Sequence, residues 1–155
     1  MNLSDNLKWR AFIGRIHYLP AYLKDLSALL QREVSAEELL PIAETDVFLK
    51  EFWKRKKNNV CRTTLDFFDK LSLLRIVHEN VEQWDSPYML HLTHALDCGL
   101  LEIPSLSCFN WNFRFADESY GIIIFIRKDK REKIVLDFYE EYSEYFIDVE
   151  VYQYV

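Results

Sequence analysis

At Pro104 the hydrophobic spacing of the chain changes period, and this bounds the available folds more tightly than any other feature. Upstream, Trp9, Phe12, Ile13 and Ile16 recur at i, i+3, i+4 and i+7, one face of a helix. Leu19, Tyr22, Leu23, Leu26, Leu29 and Leu30 make a second, stronger stripe of the same kind. Downstream, Phe109, Trp111, Phe113 and Phe115 alternate with Asn110, Asn112 and Arg114, the period-two pattern of a half-buried strand. Helices followed by strands imply an α+β fold.

Local signals divide the chain further. Pro20 lacks the donor that an interior helical turn requires and separates the first two stripes. Ser35 and Glu38 have capping-box spacing, and Pro41 keeps any helix begun there short. Thr45 or Asp46 caps a helix that holds Phe48 and Phe52 and runs into Lys54–Lys57, with a break at Asn58 and Asn59. The longest helix is expected from Thr63 or Thr64 to about Trp84, with Phe67, Leu71, Leu74, His78 and Val81 along one stripe. After Asp85, Ser86 and Pro87 a shorter helix is expected, with Tyr88, Leu92, Ala95 and Leu96 inward and Gly99 as its stop. Ile122–Ile126, Ile134–Tyr139 and Tyr145–Tyr154 read as further strands, and their short connections favour an antiparallel meander.

The expected architecture is one domain over 1–155, mainly helical over 1–104 and β-rich over 105–155. Its N-terminal helical two-thirds pack on one face of a C-terminal antiparallel β-meander of about four strands.

Composition removes several classes of function. Half of the 155 residues are hydrophobic, enough for a core, yet no apolar run reaches the roughly 18 residues that cross a bilayer. Gly14, Gly99 and Gly121 are the only glycines, so neither GxGxxG nor a phosphate-cradling P-loop can be written, and GxSxG is absent as well. Cys61, Cys98 and Cys108 form no CxxC pair and read as reduced thiols. With Asp5, Lys8 and Arg10 interrupting any secretory hydrophobic block, the chain reads as cytoplasmic, with no cofactor called for.

Charge is distributed unevenly. Residues 134–155 hold Asp137, Glu140, Glu141, Glu144, Asp148 and Glu150 and no Lys or Arg, so they carry the whole net charge of −6. Tyr139, Tyr142, Tyr145, Tyr152 and Tyr154 are interleaved with these acids. A negative field speeds encounter with a basic partner, and tyrosines supply rigid contact area with a hydrogen-bonding tip. The competing explanation is a solvated face on an amphipathic hairpin.

The functional expectation is therefore a non-enzymatic binding or inhibitory protein, of the immunity or antitoxin type. It would neutralise a basic toxin, such as a nuclease, through an acidic C-terminal hairpin. The expected contact residues are Asp137, Tyr139, Glu140, Glu141, Tyr142, Glu144, Asp148, Glu150 and Tyr152. One alternative is a zinc enzyme: on a helix from Pro87 to Cys98, His91, His94 and Cys98 fall at i, i+3 and i+7 and could supply imidazole and thiolate ligands. A weaker alternative is a nucleic-acid-binding regulator using Lys54–Lys57 beside Phe52 and Trp53. Cations at a helix C-terminus explain that run without any ligand.

Overall fold

The computed structural model describes residues 3–155 and opens with α1 (Leu3–His17) and α2 (Leu19–Leu30). Pro20 stands in the first turn of α2, where its missing N–H would have had no helical partner. Then come α3 (Ile42–Trp53), β1 (Lys57–Asp66), α4 (Lys70–Asn80), β2 (Tyr88–His91) and α5 (Ala95–Cys98). β3 (Leu101–Ile103), β4 (Ile122–Arg127), β5 (Glu132–Glu141) and β6 (Glu144–Tyr154) complete the chain. The strands form one curled antiparallel sheet in the order β1-β6-β5-β4-β2-β3, and a single-residue bridge from Leu39 to Leu101 adds a seventh position at its edge.

This overturns the expectation of helical two-thirds on one face of a four-strand meander. β1, β2 and β3 all lie before Pro104, and helices pack on both faces of the sheet. Where the longest helix was expected to begin, β1 pairs with β6 from Lys57↔Tyr154 to Asp66↔Phe146. Val60, Thr63 and Thr64 suit an extended backbone, and a long register of cross-strand bonds outweighs local helical spacing. The helix starts only at Lys70, behind Asp69, whose carboxylate accepts the Ser72 N–H at 3.2 Å. Tyr88–His91 inserts between β3 and β4, so the helix expected from Pro87 to Cys98 shrinks to the four residues of α5. Tyr88, Met89 and Leu90 are buried in succession because both faces of β2 are covered.

One further expectation fails. Phe109–Phe115 is not a strand: the Phe109 N–H donates to the Leu106 carbonyl and the Phe113 N–H to that of Asn110, which are tight turns. These turns still send Phe109, Trp111 and Phe113 into the core beside Phe125 and Phe138. On α1 the apolar stripe lies on a helix as its spacing implies, yet Trp9, Phe12 and Ile16 are 54%, 54% and 55% exposed. Among the described residues no helix is long and apolar enough to cross a membrane.

Strand alternation assigns the two cores. Tyr88, Leu90, Ile123, Phe125, Ile134, Leu136, Ile147 and Val149 face α2, α4 and the 105–118 segment. Met89 and Ile126 point the other way, against Phe48, Leu49 and Phe52 of α3. Glu132 is buried within the sheet and accepts hydrogen bonds from the Tyr88 hydroxyl (2.6 Å), Gln153 Nε2 (2.7 Å) and the Glu82 N–H (3.1 Å). It thereby joins β2, β5, β6 and the segment after α4 in a fully satisfied buried group.

Gly99 is where α5 turns into the sheet. Its φ is +105°, and a Cβ there would collide with the Leu40 carbonyl oxygen. Its own carbonyl accepts the Tyr22 hydroxyl at 2.5 Å. Gly99→Ala is expected to destabilise the fold by at least about 2 kcal/mol, through positive-φ strain plus the clash. Urea unfolding would register this as a lower midpoint at unchanged slope; an unchanged midpoint would contradict the local geometry.

Candidate functional site

The β5–β6 hairpin sets the candidate surface. Ile134, Leu136 and Phe138 alternate inward, and across from them Ile147, Val149 and Val151 do the same. Lys133, Val135, Asp137 and Tyr139 of β5 therefore share the opposite face with Phe146, Asp148, Glu150 and Tyr152 of β6. Val60, Arg62 and Thr64 of β1 extend that face by the same alternation. α3 reaches this face only at one end, against Ile124 and Tyr154 and in a hollow shared with Lys133, and Asp137 beyond it is exposed.

The nine expected contact residues divide into two groups. Asp137, Tyr139, Asp148, Glu150 and Tyr152 lie on the uncovered face. Glu140, Glu141, Tyr142 and Glu144 gather at the hairpin end, where Tyr142 and Ser143 form a two-residue turn with φ of +51° and +65°. Such mirror-image turns match the twist of the strands they join. Tyr142 is 93% exposed there.

Asp137 and Asp148 stand directly opposite one another in the register. Asp148 is supported: its Oδ1 accepts the Thr64 hydroxyl at 2.7 Å and the Tyr139 hydroxyl at 3.2 Å. Among the described residues the Asp137 carboxylate has no hydrogen-bond or ion-pair partner. Partial burial, then the Asp148 and Glu150 carboxylates, hold the Asp137 carboxyl above its ordinary range. Burial and the bond to Asp148 likewise push the Tyr139 phenol up.

The other end of the same face is positive. Lys133 Nζ, Lys57 Nζ and Arg62 Cζ stand 4.5, 5.0 and 5.9 Å from the centroid of the Tyr152 ring. Tyr152 is thereby buried, and its hydroxyl donates to Glu150, which also faces Arg62 Nε at 3.7 Å. Burial, then neighbouring Lys57, lowers the Lys133 ammonium. The uniformly acidic hairpin of the sequence is thus a two-signed surface once β1 lies beside it. The unneutralised acids sit toward the turn, around Asp137.

His91, His94 and Cys98 do not converge. His91 lies in a hollow with Phe52, Trp53 and Lys133, its buried Nδ1 unpartnered among the described residues and its imidazole lowered by burial. His94 stacks on Tyr18 (3.9 Å between ring centroids, 11° between planes), with Nδ1 3.2 Å from Asp97 and Nε2 2.8 Å from the Tyr120 hydroxyl. Cys98 is half-buried in a third place beside Leu19 and Leu40, where burial raises its thiol to about 11. The i, i+3, i+7 spacing requires one helix, and β2 followed by a turn replaces it. Among the described residues no group of His, Cys, Asp and Glu could hold a metal ion. Lys54, Arg55 and Lys56 are exposed at the end of α3, whereas Lys57 already belongs to β1.

Lys57, Arg62, Thr64 and Lys133 were not anticipated at this surface. Alternation along Lys133–Tyr139 could have found Lys133, but the others required recognising β1. No protein-family model, curated protein or solved structure matches the chain.

A raised carboxyl is destabilising when ionised. The folded state holds the Asp137 proton more tightly than the unfolded chain, so that stability is present below the unfolded value and is lost as pH rises through the folded one. Asp137→Asn is therefore expected to stabilise the protein by about 0.5 kcal/mol near pH 7, allowing for solvent screening. The gain should vanish at a pH low enough to protonate the Asp137 carboxyl in the folded and the unfolded state alike. Equal gains at both pH values in thermal unfolding would assign the effect to something other than charge.

Proposed function

We propose that this is a non-catalytic binding protein whose β1–β6–β5 face receives a basic surface of a protein partner. In its concrete form it is an immunity or antitoxin-type inhibitor that covers the basic active region of a toxin such as a nuclease. The observation that carries this reading is the Asp137–Asp148 pair, two carboxylates held directly opposite each other on an uncovered face, with no cation on Asp137 among the described residues. Like charges in direct cross-strand register oppose folding, and a basic group placed over them relieves that repulsion. Tyr139 and Phe146, 5.8 Å apart beside the pair, supply the aromatic contact area on which interface energies concentrate. The Lys57, Arg62 and Lys133 cluster gives the face a direction, because a partner whose positive surface reached that end would be repelled.

The test is capture of partners from lysate by the unmodified protein and by two charge-reversed forms. One form carries Asp137→Lys and Glu141→Lys, and the control carries Glu33→Lys and Glu44→Lys at exposed positions away from the face. The expected result is a basic protein bound stoichiometrically by the unmodified chain and by the control. Its association rate should fall at least about tenfold with the first pair and decline with added salt. A partner retained equally by all three forms would place the contact elsewhere.

A further inference from the structure

A small cavity of about 50 Å³ lies between α2 and the segments around His94 and Glu118. It exceeds what one water needs and is far smaller than a site for a drug-sized molecule, so only a small head group can enter. Its walls include Tyr18, Tyr22, Asp25, His94, Glu118 and Tyr120. Three of these are tyrosines, and the His94 ring adds a fourth aromatic surface stacked on Tyr18.

Hydrogen-bond accounting shows what the cavity lacks. The Tyr22 hydroxyl is committed to the Gly99 carbonyl. The Ser119 hydroxyl and N–H are both committed to Asp25 Oδ2, at 2.7 and 3.0 Å. The N–H groups of Tyr120, Gly121 and Ile122 all donate to Glu118 Oε2, at 2.9, 2.6 and 3.1 Å. Glu118 is only 3% exposed, and its other oxygen, Oε1, is buried with no partner among the described residues. These donors are thus spent, while a buried acceptor stands idle beside a second buried carboxylate, Asp25. Burial is the main cause that holds the Glu118 carboxyl above its ordinary range, and Asp25 adds to it.

We propose that this cavity is a binding site for a primary alkylammonium group. The ammonium would donate to Glu118 Oε1, face Asp25, and lie against the rings of Tyr18, Tyr22 and Tyr120. A hollow walled by aromatic rings and two buried carboxylates, one with an unpartnered oxygen, is complementary to an organic cation, through charge-assisted hydrogen bonds and the negative faces of the rings. The site is independent of the β1–β6–β5 face. None of its residues lies on that surface, so either reading can fail without the other.

The experiment is a two-dimensional NMR titration of the full chain with n-butylammonium chloride. Potassium chloride and tetramethylammonium chloride at equal ionic strength serve as controls. The expected result is saturable shifts at residues 18–25, 92–94 and 118–122 with butylammonium, and none with potassium. Tetramethylammonium, which cannot donate to Glu118 and is too wide for the cavity, should bind at least about tenfold more weakly. Glu118→Gln keeps an acceptor for the three N–H groups but removes the charge, and is expected to weaken butylammonium at least about tenfold. Should that variant not fold, Asp25→Asn is read in its place with the same expectation. Non-saturable shifts in the unmodified protein, shifts reproduced by potassium chloride, or equal binding by the folded variant would each overturn the proposal.

Discussion

The register of the β5–β6 hairpin is the constraint on which the rest of the structure depends. It pairs ten residues of β5 with ten of β6, from Glu132↔Gln153 to Glu141↔Glu144. With a period of two, a one-residue slip would turn Ile134, Leu136 and Phe138 outward and bring Asp137 into the core. Burial of that apolar set therefore fixes where the acids go. Asp137 comes to face Asp148 because Leu136 must face Val149 and Phe138 must face Ile147. The charge arrangement on the uncovered face is a by-product of core packing, and any use of it draws on a geometry that packing enforces.

The neighbouring strands supply contrast. β1 docks along β6 and brings Lys57 and Arg62 over Tyr152, so the acids nearest that end are already engaged. α3 covers the same face of the sheet at β2 and β4, where Met89 and Ile126 are apolar, and stops where the side chains become charged. A helix continued over Asp137 and Asp148 would have to strip water from carboxylates without supplying partners. The boundary of the second core and the start of the charged surface thus have one cause.

Legibility in the sequence tracks the range of the interactions. β4, β5 and β6 are visible because their alternation or β-branched runs are local and their connections short. α2 is visible through a strong 3.6-residue stripe, and α3 through Phe48 and Phe52, though it begins at Ile42 rather than behind a cap at Thr45 or Asp46. β1 is not, since its strand identity comes from β6, which lies 80 to 97 residues later in the register from Lys57↔Tyr154 to Asp66↔Phe146. β2 likewise depends on β3 and β4 flanking it. At Phe109–Phe115 the alternation identifies inward residues correctly but not the turns that carry them. The acids are legible as a charge bias, whereas their division into a neutralised end and an unneutralised end requires β1. Glu118 and Asp25, 93 positions apart in the sequence, offer no local signal that they line one cavity.

Asp137 and Asp148 face each other with no cation among the described residues resolving the repulsion. Following the Asp137 carboxyl carbon by NMR from about pH 2 to about pH 8 tests it most directly. The expected midpoint lies above the ordinary aspartate value of about 3.9. A midpoint at or below that value would mean that a cation within the protein already neutralises the pair, and would contradict the reading of this face as one that seeks a basic partner.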